Sequence, residues 1–231
     1  MIFETEVKEV LPRAPDVRSF RFVKPPEFAY KAGQFMFITI RKGEDELRKH
    51  FTISSSPTED YLEFTKKLTD SEYSTTLRTS SPGDWVRIEG PFGKFTFEKG
   101  FEKSAMVAGG IGITPMRSMV TYCYDTGILS DTVLLHACRT EEDLVFREDF
   151  ETIQKQNSNL KVVYCLSDPT SGWKGYTGRI DVSIIEKEVP DYRKRMVYVC
   201  GPPLMVEAME QLLREMKVPL QHIKREQFMG Y

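Results

Sequence analysis

Hydrophobic and polar positions alternate with a period of two through most of the first hundred residues. Glu4 to Val10, Val17 to Val23, Gln34 to Ile40, Phe51 to Ser54, Leu62 to Leu68 and Trp85 to Glu89 read as short strands separated by Pro, Gly and charged clusters. This spacing predicts a small antiparallel β-barrel, with one short helix around Tyr73 to Thr79. From Ser104 the pattern changes. Apolar runs at Ser104 to Ala108, Thr132 to Ala137, Leu160 to Leu166 and Met196 to Cys200 alternate with helical patterns at Met116 to Asp125, Val145 to Gln156 and Leu204 to Lys217. Apolar strands alternating with amphipathic helices predict an α/β domain with a parallel sheet, whose strand-end loops form a ligand edge. The change of pattern near Lys99 to Glu102 divides the chain into a barrel domain, 1–99, and an α/β domain, 100–231.

Composition narrows the function classes. With 32 basic and 34 acidic side chains the net charge is −2, and no basic face or tail gives electrostatic support to nucleic-acid binding. Met1 opens directly into strand-like sequence, and no apolar run approaches membrane-spanning length, so the expectation is a soluble, cytoplasmic protein without membrane contact. Cys123, Cys138, Cys165 and Cys200 lie far apart, which excludes a sequence-local iron–sulfur or zinc motif; no metal site is expected.

The strongest local signal is Val107-Ala108-Gly109-Gly110-Ile111-Gly112-Ile113-Thr114-Pro115-Met116. A strand stops at two glycines and a helix starts at Thr114-Pro115. Backbone N–H groups free of Cβ crowding, next to a helix start, suit a phosphate; an ordinary strand-to-helix turn has the same appearance. The stretch departs from the usual dinucleotide fingerprint. Pro115 takes the place of the third glycine, and His136-Ala137-Cys138-Arg139 stands where an acid would close the next strand.

In the first half, Arg48-Lys49-His50-Phe51-Thr52-Ile53-Ser54 places cations, an aromatic ring and hydroxyls at one strand entrance, as an anionic planar cofactor requires. A solvated basic turn is the plainer reading. Ser71 to Leu77 starts a helix with several hydroxyls, suited to N-capping and equally to a pyrophosphate. Gly90 to Phe95 reads as a structural turn closing the barrel, and Glu141-Glu142-Asp143 as negative charge at a helix start.

Together these stretches resemble the ferredoxin–NADP reductase superfamily in its compact form, nearly end to end. Lys49-His50-Phe51-Thr52 is similar to the family's Arg-x-Tyr/Phe-Ser/Thr flavin motif, and Gly109 to Pro115 to its glycine loop. Cys200-Gly201-Pro202-Pro203-Leu204-Met205 is similar to its Cys-Gly-Pro-x-x-Met motif, and Glu226-Gln227-Phe228 to its C-terminal Glu-x-aromatic. The resemblance implies a flavin-binding barrel followed by a nicotinamide-binding α/β domain, with FAD rather than FMN and NADH or NADPH as co-substrate. Hydride would pass from nicotinamide to flavin, and electrons onward to a separate ferredoxin or flavodoxin. A reductase of free flavin and an electron-transfer subunit of a larger complex are the alternatives.

By the same resemblance Phe51 and Thr52 lie along the flavin ring, with His50, Ile53 and Ser54 beside them; Lys49 stands where the family has arginine, so either it grips a phosphate more loosely or neighbouring Arg48 substitutes for it. Ser74 and Thr75 match the pyrophosphate segment. Cys200 packs near the nicotinamide, flanked by Gly201, Pro202 and Met205, while Gly109, Gly110, Ile111, Gly112, Thr114 and Pro115 hold its phosphates. Glu226 relays a proton, and either Phe228 or Tyr231 covers the flavin. Ser167 suits a 2′-phosphate but Asp168 repels one, which favours NADH, with Arg139, Lys174 or Arg179 able to offset the penalty. Trp173 and Gly175 to Gly178 match the adenosine loop, and Arg48, Lys49, Lys66 and Lys67 are candidates to face an acidic carrier protein.

Overall fold

The computed structural model describes residues 1–98, 100, 102–128 and 130–228. The first part contains β1 (Ile2–Glu6), β2 (Glu9–Ala14), β3 (Val17–Val23), β4 (Phe35–Lys42), β5 (Asp45–Thr52), β6 (Tyr61–Lys67), α1 (Glu72–Thr79) and β7 (Trp85–Phe92). These strands form the antiparallel barrel as two sheets, one ordered β1-β7-β4-β5 and the other β2-β3-β6. Phe20, Phe22, Leu62 and Phe64 from the smaller sheet interdigitate with Met36, Ile38 and Ile88 from the larger, all buried, because period-two alternation sends one face of every strand inward.

The expected strand from Glu4 to Val10 is two strands. At Val7-Lys8 the chain leaves its pairing with β7 and takes up pairing with β3. The alternation slips by one residue there: Phe3, Thr5 and Val7 face inward, Lys8 and Glu9 are both exposed, and Val10 is the next inward residue, so the double polar step marks the crossing. β5 likewise starts six residues before Phe51, closing a hairpin with β4; its charged first half suits an edge strand and hides the strand pattern. Gly90-Pro91-Phe92 continues β7 rather than leaving it, with a cis Gly90-Pro91 bond.

The second part contains β8 (Lys103–Gly109), α2 (Thr114–Asp125), β9 (Asp131–Cys138), α3 (Arg147–Gln156), β10 (Leu160–Leu166), β11 (Tyr176–Thr177), α4 (Val182–Glu188), β12 (Met196–Gly201), α5 (Pro203–Glu215) and β13 (Ile223–Gln227). They build one parallel sheet in the order β11-β10-β9-β8-β12-β13, with apolar clusters on both faces. From β8 the chain winds outward through β9 and β10, then returns to place β12 on the other side of β8. The carboxyl ends of β8 and β12 therefore form the switch point where open α/β sheets bind ligands. The Glu141–Asp143 turn starts with a capping box between Thr140 and Asp143, so its acidic run acts as negative charge at a helix start.

Among the expected boundary residues, Lys99 and Phe101 lie outside the described residues. The two parts share a core: Val17, Ala32 and Phe95 pack in one cluster with Ile113, Met116 and Met119. Among the described residues no helix is long and apolar enough to cross a membrane.

Candidate active site

The end of β5 meets the start of α2 and the end of β13 around a cavity of about 340 Å³, lined by Thr52, Lys66, Thr114, Glu226 and Phe228 among others. Strand alternation divides the β5 side chains between two directions. Phe51 stacks on Phe64 at 4.7 Å and tilts against Tyr73 at 5.4 Å, forming an aromatic floor over the barrel core. Arg48 points the other way, lies 3.6 Å from the centroid of Phe37 and pairs with Glu89 at 2.6 Å. His50 joins Phe35 and Phe37 on that side, with ring centroids 5.3 and 5.7 Å away.

Lys66 is the cavity residue whose setting the sequence reading misplaced. Expected on a docking surface, it is only 6% exposed, with its ammonium 5.7 Å from the Phe51 ring centroid. The register carried the signal: Leu62, Phe64, Lys66 and Leu68 share the inward parity of one strand. Burial, and then the charge of Lys49, pull the Lys66 ammonium down to about 8. A cation desolvated beside a second cation favours an anion as its neighbour.

From the other side, β13 brings Glu226 into parallel register with Cys200. Glu226 Oε2 is buried with no hydrogen-bond partner among the described residues, and burial lifts its carboxyl to about 7. Burial, and secondarily the nearby Glu226, push the Cys200 thiol up, so it stays protonated. Phe228 is anchored by its backbone N–H donating to the Gly201 carbonyl at 2.9 Å. Tyr231, the other candidate ring, lies outside the described residues.

The remaining first-half candidates divide. Ile53 is fully buried in the barrel core, and the Ser54 hydroxyl donates to the buried Glu63 carboxylate at 2.9 Å, so neither side chain lines the cavity. Arg13 and Arg21 complete the charge balance at Glu63. Ser74 is buried in the capped first turn of α1, its N–H donating to Ser71 Oγ, while the exposed Thr75 hydroxyl donates to the Glu72 carbonyl. Their helix start approaches the cavity through Tyr73, which touches Phe51.

A second cavity of about 530 Å³ opens at the β8/β12 switch point, between Gly109-Gly110, Pro202, Met205, Arg139 and Ser167. The turn Gly110–Ile113 is a 3-10 helix running into α2, with Pro115 in the first helical turn. Gly112 is dictated by space: a Cβ there would lie 2.4 Å from the Cys200 carbonyl oxygen. Asp168 at the rim accepts from Arg139 at 3.3 Å, both side chains being exposed. Ile111 and Thr114 are buried in this turn, and Thr114 reaches the first cavity.

The first cavity thus offers an aromatic floor, the cations Arg48, Lys49 and Lys66, threonine hydroxyls and a buried carboxyl, a donor set that fits a planar anionic cofactor such as a flavin nucleotide. Comparison with known proteins agrees in order and extent. An oxidoreductase FAD-binding domain matches residues 4–97, and an oxidoreductase NAD-binding domain matches residues 106–211. The chain is 31% identical, over 95% of its length, to a glycine betaine monooxygenase reductase subunit of Chromohalobacter salexigens. It is also 30% identical to NADH-cytochrome b5 reductase 1 of Dictyostelium discoideum, over 84% of this chain and 71% of that protein. The chain belongs to the ferredoxin–NADP reductase superfamily.

The superfamily's fold is matched across the whole chain: a Neisseria gonorrhoeae ferredoxin NADP+ reductase with bound FAD and NADP superposes with a TM-score of 0.85. That comparison covers 98% of both chains at 19% identity. The chain spans 62% of the length of the Chromohalobacter relative. Superfamily membership assigns FAD to the first part and a nicotinamide dinucleotide to the second.

Proposed function

We propose that this chain is an FAD-dependent NAD(P)H oxidoreductase in which residues 1–99 hold the flavin, residues 100–231 hold the nicotinamide nucleotide, and electrons leave to a separate acceptor. The observation that carries the reading is that one cavity is walled from both parts. Thr52 and Lys66 enter it from the barrel, Thr114, Glu226 and Phe228 from the α/β part. Bound FAD would accept a hydride from the dihydronicotinamide and release the electrons singly or in pairs.

The protein's own residues then orient, neutralise and protonate. Phe51 supplies the ring floor and Thr52 a hydroxyl at the reacting edge. Lys49 and Lys66, with Arg48 at the same cavity wall, neutralise the cofactor's negative charge, and Ser74 and Thr75 lie at its pyrophosphate; Arg48 also pairs with Glu89. Glu226, protonated to about pH 7, holds a proton at the junction of the two parts. The neutral thiol of Cys200 offers a soft contact to the nicotinamide without adding charge. Phe228 shields the site until the nicotinamide displaces it. At the second cavity Gly109 to Pro115, Gly201, Pro202 and Met205 receive the nucleotide phosphates. Asp168, which occupies Arg139, disfavours a 2′-phosphate and selects NADH.

Likeness to an oxygenase reductase subunit over nearly the whole chain supports an acceptor outside these 231 residues, of which ferredoxin and flavodoxin are the leading classes. Anaerobic mixing of flavin-loaded protein with NADH or NADPH tests the reading. Loss of oxidised-flavin absorbance, faster with NADH, is expected. Persistence of the absorbance with both nucleotides overturns it.

A further inference from the structure

His136 is fully buried at the end of β9, beside the last residues of β8. Its Nε2 lies 3.1 Å from the carbonyl oxygen of Gly110. A carbonyl only accepts, so Nε2 carries the proton and the tautomer is fixed. The other ring nitrogen, Nδ1, is buried without a partner among the described residues, which an imidazolium could not tolerate. Burial accordingly lowers the imidazole to about 4. Cys138 Sγ lies 3.2 Å from the same Nε2, and its thiol donates to the Asp143 carbonyl at 3.3 Å, so the ring is wedged against the end of its own strand.

The residue it grips is an unusual one. Gly110 has φ +51, the left-handed region, although a Cβ there would meet nothing within 4 Å. Backbone conformation, not space, requires glycine at this point. Gly110 also opens the 3-10 turn and lines the second cavity. The wall that Gly109 and Gly110 give the second cavity therefore depends on the conformation held at Gly110.

We propose that His136 is a positioning residue for the nicotinamide nucleotide: as a buried donor to the Gly110 carbonyl it sets the conformation in which the turn receives the nucleotide's phosphates. The inference rests on the proposed assignment of the second cavity. His136 touches neither nucleotide nor flavin and acts through Gly110, so its loss should weaken nucleotide binding and spare the redox step.

The test is stopped-flow reduction of the flavin-loaded protein by NADH, giving an apparent KM and a limiting rate for wild type and three variants. His136→Phe keeps the ring and removes the donor. His136→Gln keeps a donor near the position of Nε2. Gly110→Ala disturbs the same conformation without a clash. Expected are KM raised about tenfold in His136→Phe and in Gly110→Ala, the worth of one neutral hydrogen bond, with the limiting rate within about twofold of wild type. His136→Gln should recover most of the KM. Unchanged KM in His136→Phe, or a fall in limiting rate and flavin content in all variants alike, overturns the inference. Should His136→Phe fail to fold, the KM of Gly110→Ala and His136→Gln decides the matter. Reduction of wild type with neither nucleotide overturns the site assignment itself, an outcome distinct from both.

Discussion

A carboxyl group held to about pH 7 records a cost to folding as well as an opportunity for chemistry. Glu226 shifts upward through burial, against an unfolded value of about 4.3. Between those values the native state binds more protons than the unfolded one, so stability falls as pH rises through the window and the full penalty persists above 7. The shift corresponds to about 2–3 kcal/mol after allowance for residual exposure. Glu226→Gln should therefore melt at the same temperature as wild type near pH 4 and at a higher one at pH 8. If the carboxyl also holds the proton used in turnover, the variant should lose roughly 10²-fold in rate at pH 6. The alkaline decline in wild-type rate near pH 7 should vanish with it. An identical decline in both proteins, read from pH–rate profiles, would assign the proton to another group.

The decisive element is the turn that joins β8 to α2, and its two inner glycines fail for different reasons. Gly110 tolerates a methyl group in space but not in conformation. Gly112 faces backbone that has nowhere to go: its Cβ would sit 2.4 Å from the Cys200 oxygen and 2.7 Å from Gly201 Cα. Gly112→Ala should lower stability by about 1–3 kcal/mol and pry the β8 and β12 ends apart; denaturant midpoints and nucleotide KM measured together check this, and wild-type values for both would refute it. This turn was fully legible in the sequence, because strand, glycines, Pro115 and helix follow one another locally. β13 was not. Ile223-Lys224-Arg225-Glu226-Gln227 carries no apolar alternation, being an edge strand that gains its hydrogen bonds from β12. Glu226 could be placed only through family resemblance, whereas the crossing at Val7-Lys8 had a signal in the pattern, the two successive exposed residues Lys8 and Glu9 that shift the inward parity from Val7 to Val10. Lys66 was legible in parity and misread by charge: a lysine on the Leu62–Phe64 face was the signal of a cavity.

At the scale of the whole molecule, the cavity exists only while two differently built parts keep their relative position. What holds them is contact between residues far apart in sequence, which no local pattern foretells. Arg117 of α2 is a helical residue by pattern, yet its side chain is 7% exposed and lies in a bidentate pair with Glu59, at 2.5 and 2.8 Å, from the loop before β6. Asp149 and the Ser54 carbonyl each accept from it at 3.1 Å and the Tyr61 hydroxyl at 3.5 Å, and the Ser118 hydroxyl beside it donates to the Ser55 carbonyl at 2.6 Å. Burial alone would raise the Glu59 carboxyl, but the Arg117 guanidinium overrides it and holds the group below its ordinary value. Stability from this pair is therefore complete above an unfolded value of about 4.3 and is lost as pH falls through the lower folded value. Glu59→Gln leaves a buried guanidinium with Asp149 as its one carboxylate partner, so the cost should lie at the low end of the range for a broken buried pair, about 3 kcal/mol. Because Val17, Ala32 and Phe95 share a core with α2, the variant should still unfold in one transition, at lower denaturant and with a shallower acid limb. Two separated transitions in wild type, followed by flavin release and by circular dichroism, would show instead that the parts fold independently and that Arg117 only decorates their boundary.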